Sequence, residues 1–177
     1  MNEGQRHPTR QETEDDLARV AEIAAAILDG EEIARIVEPK AMHHIAHPDP
    51  DFRFLSSDYY DVDHGRFLRT KKLLMRLERM ARAAVHSCAW VRVEGADAVT
   101  LAVQNGPDHR YYNFGSERMP TPPEMDEVFR TGRVVRVSAG QEDPLATALA
   151  PVRDSLGDVV AVAEFTSRLE SPSPTWA

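Results

Sequence analysis

Residues 148–165, ALAPVRDSLGDVVAVAEF, set the pattern for the second half of the chain. An apolar run ends in Pro151-Val152, the polar stretch Arg153–Asp158 interrupts it, and Val159–Val162 resumes it. This predicts two strands joined by a tight turn. Gly157 accepts a positive φ without penalty, and the side chains of Asp154 and Ser155 can cap a turn. β-branched residues spaced by alanine suit strands packed closely on both faces. The hairpin holds no nucleophile, no pair of metal ligands and no phosphate loop. It reads as the centre of a sheet that displays its function elsewhere.

The same reading extends along the chain. Residues 1–10 are polar and predict a loose arm. A helix is expected from Thr13, with Asp16 three residues on as a capping partner. Leu17, Val20, Ala21, Ala24, Ile27 and Leu28 recur at helical spacing, and Gly30 is placed to end the element. A shorter helix, Glu31–Val37, stops before Pro39. Residues 38–57, with Pro39, Pro48 and Pro50, read as a crossing loop. A long helix is expected from Ser57 or Asp58 to His86, burying Phe67, Leu73, Leu74, Leu77, Met80, Ala81, Ala84 and Val85. Arg69, Lys72, Arg76 and Arg79 collect on its opposite side.

Short strands follow. Cys88–Val93 and Ala98–Val103 flank a hairpin turn, Glu94-Gly95-Ala96-Asp97. Residues 104–121 form a polar, aromatic-rich excursion. Pro122-Pro123 starts a helix through Arg130 that Thr131-Gly132 closes. Arg133–Val137, Pro144–Val152 and Asp158–Phe165 complete the strands, and 168–177 reads as a disordered tail. The expected fold is α+β: an antiparallel sheet of about five strands in one domain spanning 11–167. A long N-terminal helix pair covers one face and a loop with a short helix covers the other, leaving room for a ligand.

Composition narrows the classes. The 177 residues are 42% hydrophobic and 28% charged, a globular balance. A net charge of −8 argues against nucleic acid and anionic lipid as partners. A lone cysteine, Cys88, excludes an intrachain disulfide and a cysteine zinc cluster. No apolar run reaches the roughly 18 residues of a membrane span, and the acidic N-terminus does not resemble a secretory signal. The chain as given is expected to be soluble.

Four stretches resemble the Cache or PDC sensor domains of bacterial signalling proteins, relatives of the PAS and GAF sensors. AAAILDGEEIARIV (24–37) is similar to the first helix of that family, and SSDYYDVDHGRFLRTKKLLMRLERM (56–80) to its long second helix. PPEMDEVFRTGRVVRV (122–137) and DPLATALAPVRDSLGDVVAVAEF (143–165) are similar to its helix–strand passage and final hairpin. The resemblance covers about 20–167 and implies a non-enzymatic, small-molecule-binding sensory module, with dimerisation through the long helix. Such domains are usually extracytoplasmic. This chain shows no membrane helix and no kinase, cyclase or methyl-accepting segment. It is therefore expected in the cytoplasm as given, or outside it if excised from a membrane-bound receptor.

The candidate chemistry gathers in Asp108-His109-Arg110-Tyr111-Tyr112-Asn113-Phe114. Arg110 suits a carboxylate through bidentate hydrogen bonds, and Tyr111 and Tyr112 offer flat walls with polar tips. With Asn113, Arg136 and Asp143 these residues form the expected site for a small polar or anionic ligand. The competing reading, that Tyr111 and Phe114 anchor the loop to the sheet, stands beside it. His43, His44 and His47 have some metal-ligand character, but the nearby prolines favour a solvated or capping loop. Asp61, Asp63 and His64 read as capping, and the basic stripe as a solvated helix face. Trp90 reads as core, and His86 as helical and therefore no partner for Cys88. No cofactor is expected. The alternatives are a ligand-free dimerisation scaffold with a degenerate sensor fold and, last, a metal enzyme built on the histidines.

Overall fold

The computed structural model describes residues 8–47, 62–105, 118–137 and 144–169. Thr9 opens helix α1 (Arg10–Ile27) with a reciprocal capping box. Its hydroxyl accepts from the Glu12 N–H at 3.2 Å, and the Glu12 carboxylate accepts from the Thr9 N–H at 2.7 Å. The helix therefore starts one turn before the expected Thr13, which is buried inside it. Gly30 does not trail α1 but begins α2 (Gly30–Ala34), capped by Asp29. A glycine is required there because a Cβ would lie 2.5 Å from the Arg153 carbonyl.

The stretch read as a crossing loop contains a helix, α3 (Pro39–Ala46). Pro39 occupies its first turn, where a missing N–H costs nothing, so the residue taken as a breaker is an initiator. Helix α4 (His64–Glu78) is capped by Asp63, which accepts from the Arg66 N–H at 3.0 Å and pairs with its guanidinium. This fulfils the expected capping role of Asp63. The helix ends well before His86, because Val85 already belongs to a strand.

That strand is β1 (Val85–Arg92), followed by β2 (Ala98–Gln104) and β3 (Arg118–Pro120). Helix α5 (Pro123–Thr131) ends at Gly132 with φ 63°. The sheet continues with β4 (Val135–Val137), β5 (Leu145–Arg153) and β6 (Val159–Arg168). All pairings are antiparallel in the order β3-β2-β1-β6-β5-β4. The α+β layout is as expected, with six strands rather than about five. The addition is β3, three residues at the end of the segment read as an excursion.

The β5–β6 turn is built as the sequence implies. Gly157 takes φ 92°, and the Asp154 carboxylate accepts from the N–H groups of Leu156 and Asp158 at 3.0 and 2.9 Å. The Arg153 guanidinium donates to the Gly157 and Gly132 carbonyls at 2.6 and 2.9 Å, tying the hairpin to the end of α5. Pro151 lies beyond the residues of β5 that pair with β4, at an edge, where strand prolines occur.

Two apolar layers sandwich the sheet. On one face α1, α2 and α4 set Leu17, Val20, Ile33, Leu74 and Leu77 against the strands. The strand side of that layer is mostly alanine (Ala89, Ala146, Ala148, Ala150, Ala161 and Ala163) beside Phe165. Ala21 and Ala24 of α1 meet this floor, so helix and sheet approach closely. On the other face Met125 and Val128 of α5 cover Trp90, Val99, Leu101, Leu149 and Val162.

Candidate functional site

Strand pairing decides which side chains share the α5 face. Cys88 lies opposite Glu164 of β6 and Gln104 of β2, and His86 lies opposite Thr166. Thr166 in turn pairs with Thr147 of β5. The α5 face is therefore apolar around Trp90 and Val162 and becomes polar one row further on. A β-bulge draws that boundary. Ala89 pairs with Val103 and Trp90 with Leu101, so Ala102 is an extra residue on β2. Ala102 and Val103 both turn to the helical layer, and Gln104 comes round beside Cys88.

Glu164 is the centre of the polar row. The Trp90 indole N–H donates to Glu164 Oε2 at 2.7 Å, and the Cys88 thiol donates to the same oxygen at 3.4 Å. The Thr166 hydroxyl donates to Oε1 at 3.2 Å and lies 3.0 Å from the Thr147 hydroxyl. The carboxylate is half-buried, and among the described residues no cation lies within ion-pair distance of it.

Behind this row, on the helical face, a second carboxylate fastens α4 to the same strands. Glu78 accepts from the Ser87 N–H and hydroxyl at 2.9 and 2.7 Å and from the Asn105 side-chain amide at 2.7 Å. The Asn105 N–H donates to the Ser87 carbonyl at 2.9 Å. Burial pushes the Glu78 carboxyl above its ordinary pKa, against the opposing pull of those donors. Asp16 of α1 goes the other way. Burial alone would raise it, but the Arg82 N–H at 2.6 Å and the Arg19 guanidinium at 2.8 Å hold it below the usual range.

Of the expected site residues, Arg110, Tyr111, Tyr112, Asn113 and Asp143 lie outside the described residues. Arg136 is on β4 between Val135 and Val137, which pack towards α5, so it points to the opposite face. There its guanidinium meets Asp15 of α1 at 2.6 Å. The structure does not bring it to the polar row. Trp90 is core, as read, and also a hydrogen-bond donor. His86 is on a strand, not a helix, and shares its face with Cys88. Glu164, Thr166, Thr147 and Gln104 went unnoticed in the sequence. Their signal was phase: in β6, Glu164 and Thr166 follow Val162 at a spacing of two, on the side away from Ala161, Ala163 and Phe165.

The histidine group lies at the other end of the sheet. His43 and His47 sit one turn apart on α3 and its C-cap, with rings edge-on at 5.0 Å. They line a cleft of about 660 Å³ with Val37, Met42 and Glu94. Among the described residues, no group of three or more His, Cys, Asp or Glu is disposed to hold a metal ion. Of the basic stripe on α4, Arg69 reaches Glu32 of α2 at 2.6 Å. No helix among the described residues is long and apolar enough to cross a membrane.

No protein-family profile and no curated protein sequence matches the chain. Among solved structures, it is similar to the crystal structure of the A. aeolicus nlh2 GAF domain in an inactive state. The two share 14% identity at a TM-score of 0.39, over 75% of this chain and 80% of that one. The likeness is to a GAF domain.

Proposed function

We propose that the chain is a small-molecule-binding sensory module of bacterial signal transduction, without enzymatic activity, working in the cytoplasm. Its ligand binds the α5 face at the end of the sheet marked by Gln104, Cys88, Glu164, Thr166 and Thr147. One observation carries this reading. The polar row converges on a half-buried carboxylate of a central strand, beside the apolar patch around Trp90 and Val162, and polar groups kept in such a place call for a reason beyond packing. Arg110, Tyr111, Tyr112, Asn113 and Asp143 belong to the same proposal on sequence grounds alone.

The geometry also offers a route for the signal. Cys88 and Gln104, on the ligand side, are chain neighbours of Ser87 and Asn105, which hold Glu78 of α4 on the other side. A ligand that shifts β1 against β2 alters the seat of α4. Such a switch needs a ligand that prefers one arrangement, typically by about 1–3 kcal/mol.

A thermal-shift screen of amino acids, organic acids, amines and nucleobases tests the reading. At least one class should raise the melting temperature, and Thr147→Val with Thr166→Val should abolish the rise. A silent screen would overturn it. The second reading, a ligand-free dimerisation scaffold, draws on Leu68 of α4 and Met80 just beyond it, exposed at 44% and 45%. Light scattering that finds a dimer dissociated by Leu68→Glu, together with a silent screen, would favour the scaffold.

A further inference from the structure

We infer that the ligand of the α5 face carries a positively charged nitrogen with N–H donors, an ammonium, amidinium or guanidinium, and that Glu164 holds it. This rests on the sensory reading and adds the charge class of the ligand. Glu164 stands on β6 between β1 and β5, with three strands of the sheet on one side and two on the other. Its described partners are the Trp90 indole, the Cys88 thiol and the Thr166 hydroxyl. All three are neutral donors. They occupy three of the roughly four lone-pair sites of a carboxylate and leave its charge uncancelled. A partly desolvated charge without a counter-charge is costly, and removing that cost is what an incoming cation would do.

The surroundings add a second requirement. The Thr147 hydroxyl can donate or accept, and the Gln104 amide nitrogen, buried without a hydrogen-bond partner, is a donor that calls for an acceptor atom elsewhere on the ligand. Two described arginines of β1 and β6 share this face: Arg92, beyond Trp90, bonds Asp126 at 3.0 Å and lies over the Phe129 ring at 4.2 Å, and Arg168 lies at the exposed end of β6 beyond Thr166. Neither of them, nor His86 opposite Thr166, is within ion-pair distance of Glu164, so an anion placed beside it would meet repulsion. This cationic class differs from the expectation of a small polar or anionic ligand, whose candidate Arg110 lies outside the described residues.

The test uses the full chain and two arms of probes, followed by calorimetry and thermal shift. The cationic arm is n-butylamine, agmatine, histamine and benzamidine, with tetramethylammonium as a cation lacking N–H. The anionic arm is succinate, 2-oxoglutarate and phosphate. A cationic N–H probe should bind, and Glu164→Gln, which keeps an acceptor for Trp90, should weaken it by about 10- to 100-fold. Tetramethylammonium should bind far less well. If Glu164→Gln does not fold, Trp90 emission in a Trp176→Phe background reports on the wild-type carboxylate, and the cationic probe should shift it. A cationic probe indifferent to Glu164→Gln, or one that leaves Trp90 emission unchanged, would overturn the inference. So would an anion bound equally or better by that variant, although the sensory reading would then survive. Silence in both arms and in the wider screen would end both.

Discussion

The two faces of the sheet are made by the same strands and differ in almost every respect. Alternate residues of β6 show it most simply: Ala161, Ala163 and Phe165 go to the helical layer, and Val162, Glu164 and Thr166 to the α5 side. The helical face is largely a floor of alanines that lets α1 lie close, and its buried polar groups, such as Ser87 on Glu78, serve to fasten a helix. The α5 face begins as a hydrophobic patch under one short helix and ends in hydroxyls, an amide and a carboxylate. One face is thus committed to holding the fold together. The other gives up apolar burial in its last rows, a sacrifice that stability alone does not explain.

The sharpest way to break this contrast is to exchange neighbours across it. Phe165→Ala removes a fully buried ring from the helical face and should cost about 3–5 kcal/mol in urea unfolding. Glu164→Gln, one residue away, should leave the unfolding midpoint close to wild type. Equal losses from the two would mean that the α5 face is core like the other. Next in size is Ala150→Leu, which forces bulk between α1 and β5 and should cost about 1–3 kcal/mol by the same measurement. Unchanged stability would show that the alanine floor is not close-packed. Arg92→Ala loses an exposed ion pair and the contact with Phe129, so thermal unfolding should register about 1 kcal/mol or less.

The smallest effect is one of pH. Glu78 is held above its ordinary pKa, so its folded form binds the extra proton. Its contribution is fully present below the unfolded pKa and is lost as pH rises through the folded one. Asp16 has the opposite sign, its contribution fading as pH falls through its depressed folded pKa. Glu78→Gln should therefore flatten the decline in melting temperature as pH rises above the ordinary glutamate range. A slope unchanged from wild type would remove Glu78 as its source.

Much of the architecture was legible because punctuation was strong. Gly95, Gly132 and Gly157 all take positive φ where the turns were read, and four long strands and α5 follow from them. The failures also have physical causes. Ala81, Ala84 and Val85 continue the helical spacing of α4, so nothing in the pattern announced that β1 begins at Val85. Pro39 serves equally to break a helix or to begin one, and only packing decides. Strand β3, at three residues, is too short to show a period. The polar row was missed for another reason. Residues 108–114 cluster their polar groups along the chain, whereas Cys88, Gln104, Thr147 and Glu164 meet only through strand register. No local window contains that information.

The bulge at Ala102 fixes what stands beside Cys88 through register rather than through any one side chain. It places one residue more between Leu101 and Val103 than strict alternation allows, which keeps Val103 in the helical layer and Gln104 on the α5 face. If β2 ran in regular alternation with Ala102 retained, Val103 would stand beside Cys88 and the Gln104 amide would be driven into hydrocarbon. Deleting Ala102 would instead leave both destinations as they are, so the polar wall tolerates loss of that residue but not loss of the bulge around it.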